Sequence, residues 1–240
     1  MEIFTLSGDE LLFRNAEELE RVLGELDSSV PGRTEGRRSH HRERYCVTRY
    51  LSTLSNSSLL SFPLKVLKAE SPDFLLYRPD STVTGLEITE AGTERHQRAA
   101  TELERSPLGT LLEGEAGLRQ LGEELREPPY IGDEPERELA VLVLMAVKAK
   151  TKTLNQPHFT EADLHELLIY DNSHLVLTAE LKDLAPLLKA PLLEWQAQQQ
   201  NERQFYRISV LRDSELLYDC SGRSTVFRVP HNGSGRRGNA

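Results

Sequence analysis

Three short runs of apolar and β-branched residues lie close together in the chain, at residues 64–68, 74–77 and 83–89. The sequence Arg-Pro-Asp-Ser at residues 78–81 is typical of a turn between the last two runs. Strands separated by such short connections pair with their sequence neighbours in antiparallel fashion. The segment therefore predicts a three-stranded antiparallel meander.

Helical periodicity surrounds the predicted meander. Residues 41–54 form a predicted helix before it, and residues 136–153 form a strongly apolar one after it. The fold class is therefore α/β, a mixed sheet flanked by helices. Further predicted elements are short amphipathic helices within 9–26, a polar helix at 93–104, a helix at 181–200 interrupted by Pro186 and Pro191, and strands at 166–170, 205–211, 215–218 and 224–229.

The length suits one principal domain. A chain of 240 residues, of which 38% are hydrophobic, can bury about 70–75% of its unfolded surface. We expect a helical N-terminal arm with an arginine-rich linker at 1–40, a domain at 41–230, and a disordered tail rich in Gly, Ser and Arg at 231–240.

Charge is distributed unevenly along the chain. The net charge of −9 argues against a protein that coats nucleic acid with its whole surface. Residues 33–49 nevertheless carry six arginines against two glutamates, whereas residues 102–138 carry eleven acids against four arginines. The basic segment either receives a polyanion locally or is a solvated connector.

The remaining composition points to a cytoplasmic protein with no membrane association. The longest strongly apolar stretch, residues 139–147, is less than half the ~20 residues that cross a bilayer, and the N-terminus lacks a signal-peptide pattern. Cys46 and Cys220 are too few for a disulfide scaffold and lack metal-clamp spacing, so we expect reduced thiols.

Two acidic residues mark the predicted meander as a candidate site. Asp73 opens the second strand and Glu87 lies in the third, 14 positions later across a turn. Carboxylates on adjacent antiparallel strands can converge on one hard cation, and Mg²⁺ suits such a site because it keeps much of its hydration shell. Metal-assisted phosphodiester hydrolysis is the chemistry that these residues could support.

The order helix, meander, helix, strand, together with Pro72-Asp73 and Glu87-Ile88-Thr89, resembles the PD-(D/E)XK nuclease superfamily, which has the restriction-endonuclease-like fold. The resemblance covers roughly residues 41–218. It implies that Asp73, Glu87 and the main-chain carbonyl of Ile88 hold Mg²⁺, with Mn²⁺ as a substitute. It also implies an acidic residue on the helix before the meander, and Glu43 matches that position by order.

The chain departs from the superfamily motif at Thr89, where the motif has a lysine two residues after the second acid. One hypothesis is that the lysine has moved to the helix before the fourth core strand. That helix offers Lys148 and Lys152, with Lys68 of the first strand a distant third candidate. The other hypothesis is that catalysis has been lost and the fold serves binding.

Two further polar residues near the motif are given lesser roles. Alternation predicts that Glu90 points to the opposite face of its strand from Glu87, towards solvent or as a supporting group. Gln97 is more consistent with a solvated helix face than with the site.

The resemblance predicts a Mg²⁺-dependent nuclease, a hydrolase acting on nucleic acid and foremost on DNA, in a bacterial or phage defence or repair setting. The alternative is a catalytically inactive domain of the same fold that binds nucleic acid or protein. A third reading is a structural interaction protein in which the acidic pair only caps the sheet. The sequence does not predict an oligomeric state.

Overall fold

The computed structural model describes residues 10–32, 36–92, 132–173, 180–199, 201–212 and 215–230. The predicted polar helix at 93–104, Gln97 and the predicted disordered tail at 231–240 lie outside these residues. Within them the chain is an α/β protein with one eight-stranded mixed sheet and four helices.

The strands lie in the sheet in the same order as in the sequence. Antiparallel pairing joins β1 to β2, β2 to β3 and β3 to β4. Parallel pairing joins β4 to β5 and β5 to β6. Antiparallel pairing joins β6 to β7 and β7 to β8. The strands are β1 (Glu10–Phe13), β2 (Leu64–Lys68), β3 (Phe74–Tyr77), β4 (Val83–Ala91), β5 (Leu164–Asp171), β6 (Arg207–Arg212), β7 (Glu215–Tyr218) and β8 (Thr225–Arg228).

Helices cover both faces of the sheet and form two hydrophobic cores. The helices are α1 (Ala16–Glu25), α2 (Ser39–Leu54), α3 (Glu134–Leu154) and α4 (Leu181–Gln198). Buried residues of α1 and α2 pack with Leu86 and Ile88 of β4. Residues of α3 and α4 pack with Leu167 and Ile169 of β5. Because side chains alternate along a strand, Glu87 faces the α3 side, where its register partner Leu167 is part of the core.

The N-terminal residues differ from the predicted helical arm because β1 precedes α1 and extends the sheet beside β2. Residues 10–13 are too few for a stable helix, whereas β2 offers them a free edge with which to pair. Phe13, Leu19 and Leu23 are buried in the same core as α2. The Asn15 side chain caps α1 by accepting a hydrogen bond from the Glu18 amide at 2.8 Å.

The C-terminal helix also differs from the prediction, because α4 continues through Pro186 and Pro191. Each proline removes one intrahelical hydrogen bond and costs about 3 kcal/mol or more in a helix interior. Burial of the leucine stripe on α4 offsets this cost, since those side chains are almost completely inaccessible. The stripe consists of Leu181, Leu184, Leu188 and Leu192.

Among the described residues, no helix combines the length and the apolar character needed to cross a membrane.

If α1 is an integral part of the core, Leu19→Ala should lower the free energy of unfolding by about 2–5 kcal/mol, because Leu19 is 0% exposed and its removal leaves a cavity. Leu12→Ala is the matched control, since Leu12 of β1 is 56% exposed and should cost much less. Urea denaturation followed by circular dichroism measures both. Equal losses for the two variants would show that α1 does not belong to the folding core.

Candidate active site

Asp73 lies immediately before β3 and is bound to the neighbouring strand. Its Oδ2 atom accepts a hydrogen bond of 2.7 Å from the Ile88 amide. Phe74 pairs with Leu86, so the same register continued by one residue sets Asp73 opposite Glu87. Gly85 leaves room for the ring of Pro72, the residue before Asp73, since a Cβ at position 85 would lie 2.8 Å from Cγ of Pro72. Two acidic residues far apart in the sequence therefore become neighbours at the junction of β3 and β4.

The two carboxylates are buried, and they repel one another. Burial raises the pKa of Asp73, and the negative charges of Glu87 and Glu43 raise it further. The hydrogen bond from the Ile88 amide and the charge of Lys68 act in the opposite direction. The net effect raises the pKa of Asp73 from 3.8 to about 7. Asp73 therefore binds a proton at a much higher pH than an ordinary aspartate does.

Lys150 of α3 provides the positive charge next to Glu87. Its Nζ atom lies 2.6 Å from Oε1 of Glu87, and the lysine side chain is only 27% exposed. The second oxygen of Glu87, Oε2, is buried and has no hydrogen-bond partner among the described residues. A buried carboxylate oxygen without a donor is costly, so this atom is available to a cation.

The lysine at the site differs from both lysines that the sequence suggested. Lys148 and Lys152 are exposed, and they share a helix face because they are four residues apart. Lys150 projects roughly opposite, since each helical residue turns about 100°. Helical spacing in the sequence could have identified Lys150. It lies three residues after Val147 and four before Leu154, both of which are buried, so it shares their side of the helix.

Glu43 and Lys68 form a second ion pair beside Asp73. The Lys68 ammonium lies 2.9 Å from Oε2 of Glu43 and 3.7 Å from Oδ1 of Asp73. Glu43 on α2 is therefore close to the carboxylate pair, as its order in the sequence suggested. Lys68, the third lysine candidate from the sequence, therefore contacts Glu43 and Asp73. A catalytic role for Glu43 stays a prediction.

The other motif residues continue β4 past the carboxylate pair. Ile88 donates its amide to Asp73, which brings its main chain to the site, while the use of its carbonyl as a metal ligand stays a prediction. The half-buried Thr89 follows at the position where the motif has lysine.

Glu90 lies on the opposite face of β4 from Glu87, as alternation predicts, but it does not face solvent. Its side chain is 6% exposed, and its Oε1 atom pairs with Arg37 at 3.1 Å and with Arg42 at 2.9 Å. Both arginines belong to the basic segment, of which the described part is largely the beginning of α2 rather than a linker. The two ion pairs therefore hold this segment against the end of β4.

The donor set fits a hard cation held by few protein ligands. Among the described residues, no group of three or more His, Cys, Asp or Glu side chains is arranged to hold a metal. Mg²⁺ is commonly bound through one or two carboxylates, with waters and substrate phosphates completing its shell. The paired Asp73 and Glu87, with the unpartnered Oε2 atom of Glu87, meet that smaller requirement.

Comparison of the chain with protein-family models, curated proteins and solved structures finds no match in any of the three.

The raised pKa of Asp73 predicts a specific pH dependence of stability. Between about pH 4 and 7 the folded protein holds a proton that the unfolded chain has lost, so the free energy of unfolding should fall as pH rises. Asp73→Asn keeps an acceptor for the Ile88 amide and removes the titrating group. This variant should lose that part of the pH dependence and gain stability relative to the wild type from pH 5 to pH 8.

Urea denaturation in EDTA at several pH values measures this difference. Asp80→Asn is the control, because the exposed Asp80 has a lowered pKa and is ionised throughout this range. A parallel pH dependence in the wild type and Asp73→Asn would show that Asp73 ionises normally in the folded protein.

Proposed function

We propose that the chain is a metal-dependent nuclease that hydrolyses phosphodiester bonds and has a restriction-endonuclease-like core. The observation that carries the proposal is the ion pair between Lys150 and Glu87 beside the buried Asp73. Two adjacent carboxylates and one ammonium are the groups that the resemblance implies for catalysis.

The order of elements supports the same core. A helix (α2), three consecutive antiparallel strands (β2 to β4), a helix (α3) and a strand parallel to β4 (β5) follow one another in the described residues. This is the order by which the sequence resembles the PD-(D/E)XK superfamily. Asp73 lies immediately before β3 and Glu87 lies within β4, the second and third strands of that order.

The residues that would hold Mg²⁺ or Mn²⁺ are Asp73 and Glu87, with the Ile88 carbonyl as the implied third ligand. When bound, such an ion would polarise a phosphoryl oxygen and lower the pKa of a water molecule. The protein contributes two oxygen donors held by the β3–β4 pairing. One of them is the Oε2 atom of Glu87, which has no partner in the described part of the chain.

Lys150 takes the part that the motif assigns to the residue at position 89. Its ammonium is oriented by Glu87 Oε1 and partly shielded from water, so its charge is weakly screened. A fixed cation there stabilises negative charge as it develops on phosphate during attack. Because the ammonium group comes from α3 instead of β4, a threonine at position 89 is compatible with catalysis.

The basic segment favours a nucleic-acid substrate, and DNA is the first candidate. Arg37 and Arg42 share the single carboxylate of Glu90, so this cluster keeps a net positive charge. Glu90 lies on β4 only three residues after Glu87, although on the opposite face. These arginines can offer positive charge to phosphates of a nucleic acid near this end of the sheet.

Lys150→Ala should lower the turnover rate by about two to three orders of magnitude, the loss expected when one electrostatic contact to the transition state is removed. Lys148→Ala is the matched control, because Lys148 is exposed on the same helix two residues away. Single-turnover cleavage of labelled single- and double-stranded DNA and RNA, with Mg²⁺ or Mn²⁺, measures both variants.

A Lys150→Ala protein that cleaves as fast as Lys148→Ala would remove Lys150 from the mechanism. If the wild type cleaves none of these substrates with either metal but binds nucleic acid, the inactive binding domain replaces the nuclease as the preferred function.

A further inference from the structure

The ammonium of Lys68 is enclosed by oxygen atoms. It donates to the Ala69 carbonyl at 2.9 Å and to the Asp73 carbonyl at 3.0 Å, and it pairs with Glu43 Oε2 at 2.9 Å. An ammonium has three N–H donors, so all three have a partner. Asp73 Oδ1 lies further out at 3.7 Å, and the ring of Phe74 covers another side, with its centroid 4.8 Å away.

These oxygens resemble the donor set of a hard divalent cation. Two main-chain carbonyls and two carboxylates are the ligand types that Ca²⁺ and Mg²⁺ prefer. Here the set is already occupied by a side chain of the protein. Asp73 belongs to both parts of the site, because Oδ1 faces Lys68 while Oδ2 accepts from the Ile88 amide beside Glu87.

We infer that Lys68 is a built-in cation that fills one of two adjacent cation positions, so that the protein binds a single divalent ion, at Asp73 and Glu87. This inference rests on the proposed function and specifies how many metal ions the site uses. It makes Lys68 a positioning residue, which orders Glu43 and Asp73 without requiring contact with the substrate.

Charge balance supports a single ion. Three carboxylates (Glu43, Asp73 and Glu87) face two ammonium groups (Lys68 and Lys150), which leaves a net charge of −1 when all are ionised. One divalent ion converts this to +1, which suits an incoming phosphate. A second divalent ion would have to lie against the Lys68 ammonium, and close like charges in a shielded site repel strongly.

Isothermal titration calorimetry with Mn²⁺, without nucleic acid, tests the inference through binding stoichiometry. The wild type should bind one ion per chain. Lys68→Met keeps most of the aliphatic stem but removes the charge, so the vacated oxygens should accept a second ion and the stoichiometry should rise to two. Adding Glu43→Gln to Lys68→Met removes a charged ligand and should return the value to one.

Lys65→Met is the matched control, because Lys65 lies on the same strand and forms a 2.7 Å ion pair with Glu10 away from the site. It should bind one ion. Each protein is first checked for cooperative thermal unfolding in EDTA. Two ions bound by the wild type would overturn the inference even if Lys68→Met does not fold, and one ion bound by a folded Lys68→Met would also overturn it.

Failure of the proposed function gives a different result. A wild type that binds one Mn²⁺ but cleaves no substrate would overturn the nuclease and leave the role of Lys68, whereas a wild type that binds no Mn²⁺ would overturn both. A wild type that binds two ions and cleaves would leave the nuclease intact and remove only the role of Lys68.

Discussion

Two buried carboxylates of like charge, Asp73 and Glu87, lie side by side, and the surrounding elements offset their repulsion. The Ile88 amide binds Asp73, Lys68 approaches it from β2, and Lys150 reaches Glu87 from α3. Removing water from charged groups is costly unless each gains a partner. This requirement ties the sheet to α3 on one face and, through the pairing of Lys68 with Glu43, to α2 on the other.

A second buried glutamate of the same sheet, Glu166, has a partner for each of its carboxylate oxygens. Glu166 of β5 accepts a 2.9 Å hydrogen bond from the Tyr50 hydroxyl on one oxygen and pairs with Arg207 on the other. Both of its oxygens have partners, as expected for a structural group. Glu87 keeps one oxygen without a partner among the described residues. The difference separates a carboxylate that stabilises the core from one that is available to a ligand.

Much of this arrangement could be predicted from local sequence patterns. Short apolar and β-branched runs indicated the central strands, and antiparallel pairing of adjacent strands made Asp73 and Glu87 neighbours. The sequence suggested Lys148 because it lies nearest the apolar run of α3. Lys150 was missed because the side of a helix on which a residue lies depends on its spacing from buried residues, here Val147 and Leu154. Strand β1 and the continuous α4 were missed because packing on a distant edge or core overrides local propensity. Glu90 can be buried because it pairs with Arg37 and Arg42. These arginines lie far from Glu90 in the sequence, so local patterns could not predict the contact.

A crystal structure with Mn²⁺ would show whether Asp73, Glu87 and Lys150 form one cation-dependent site. Anomalous scattering recorded at the manganese edge locates the ion without ambiguity from water. We expect one anomalous peak between the carboxylates of Asp73 and Glu87, with the Lys150 ammonium beside it. A peak elsewhere, or Asp73 and Glu87 side chains on opposite faces of the sheet, would contradict it.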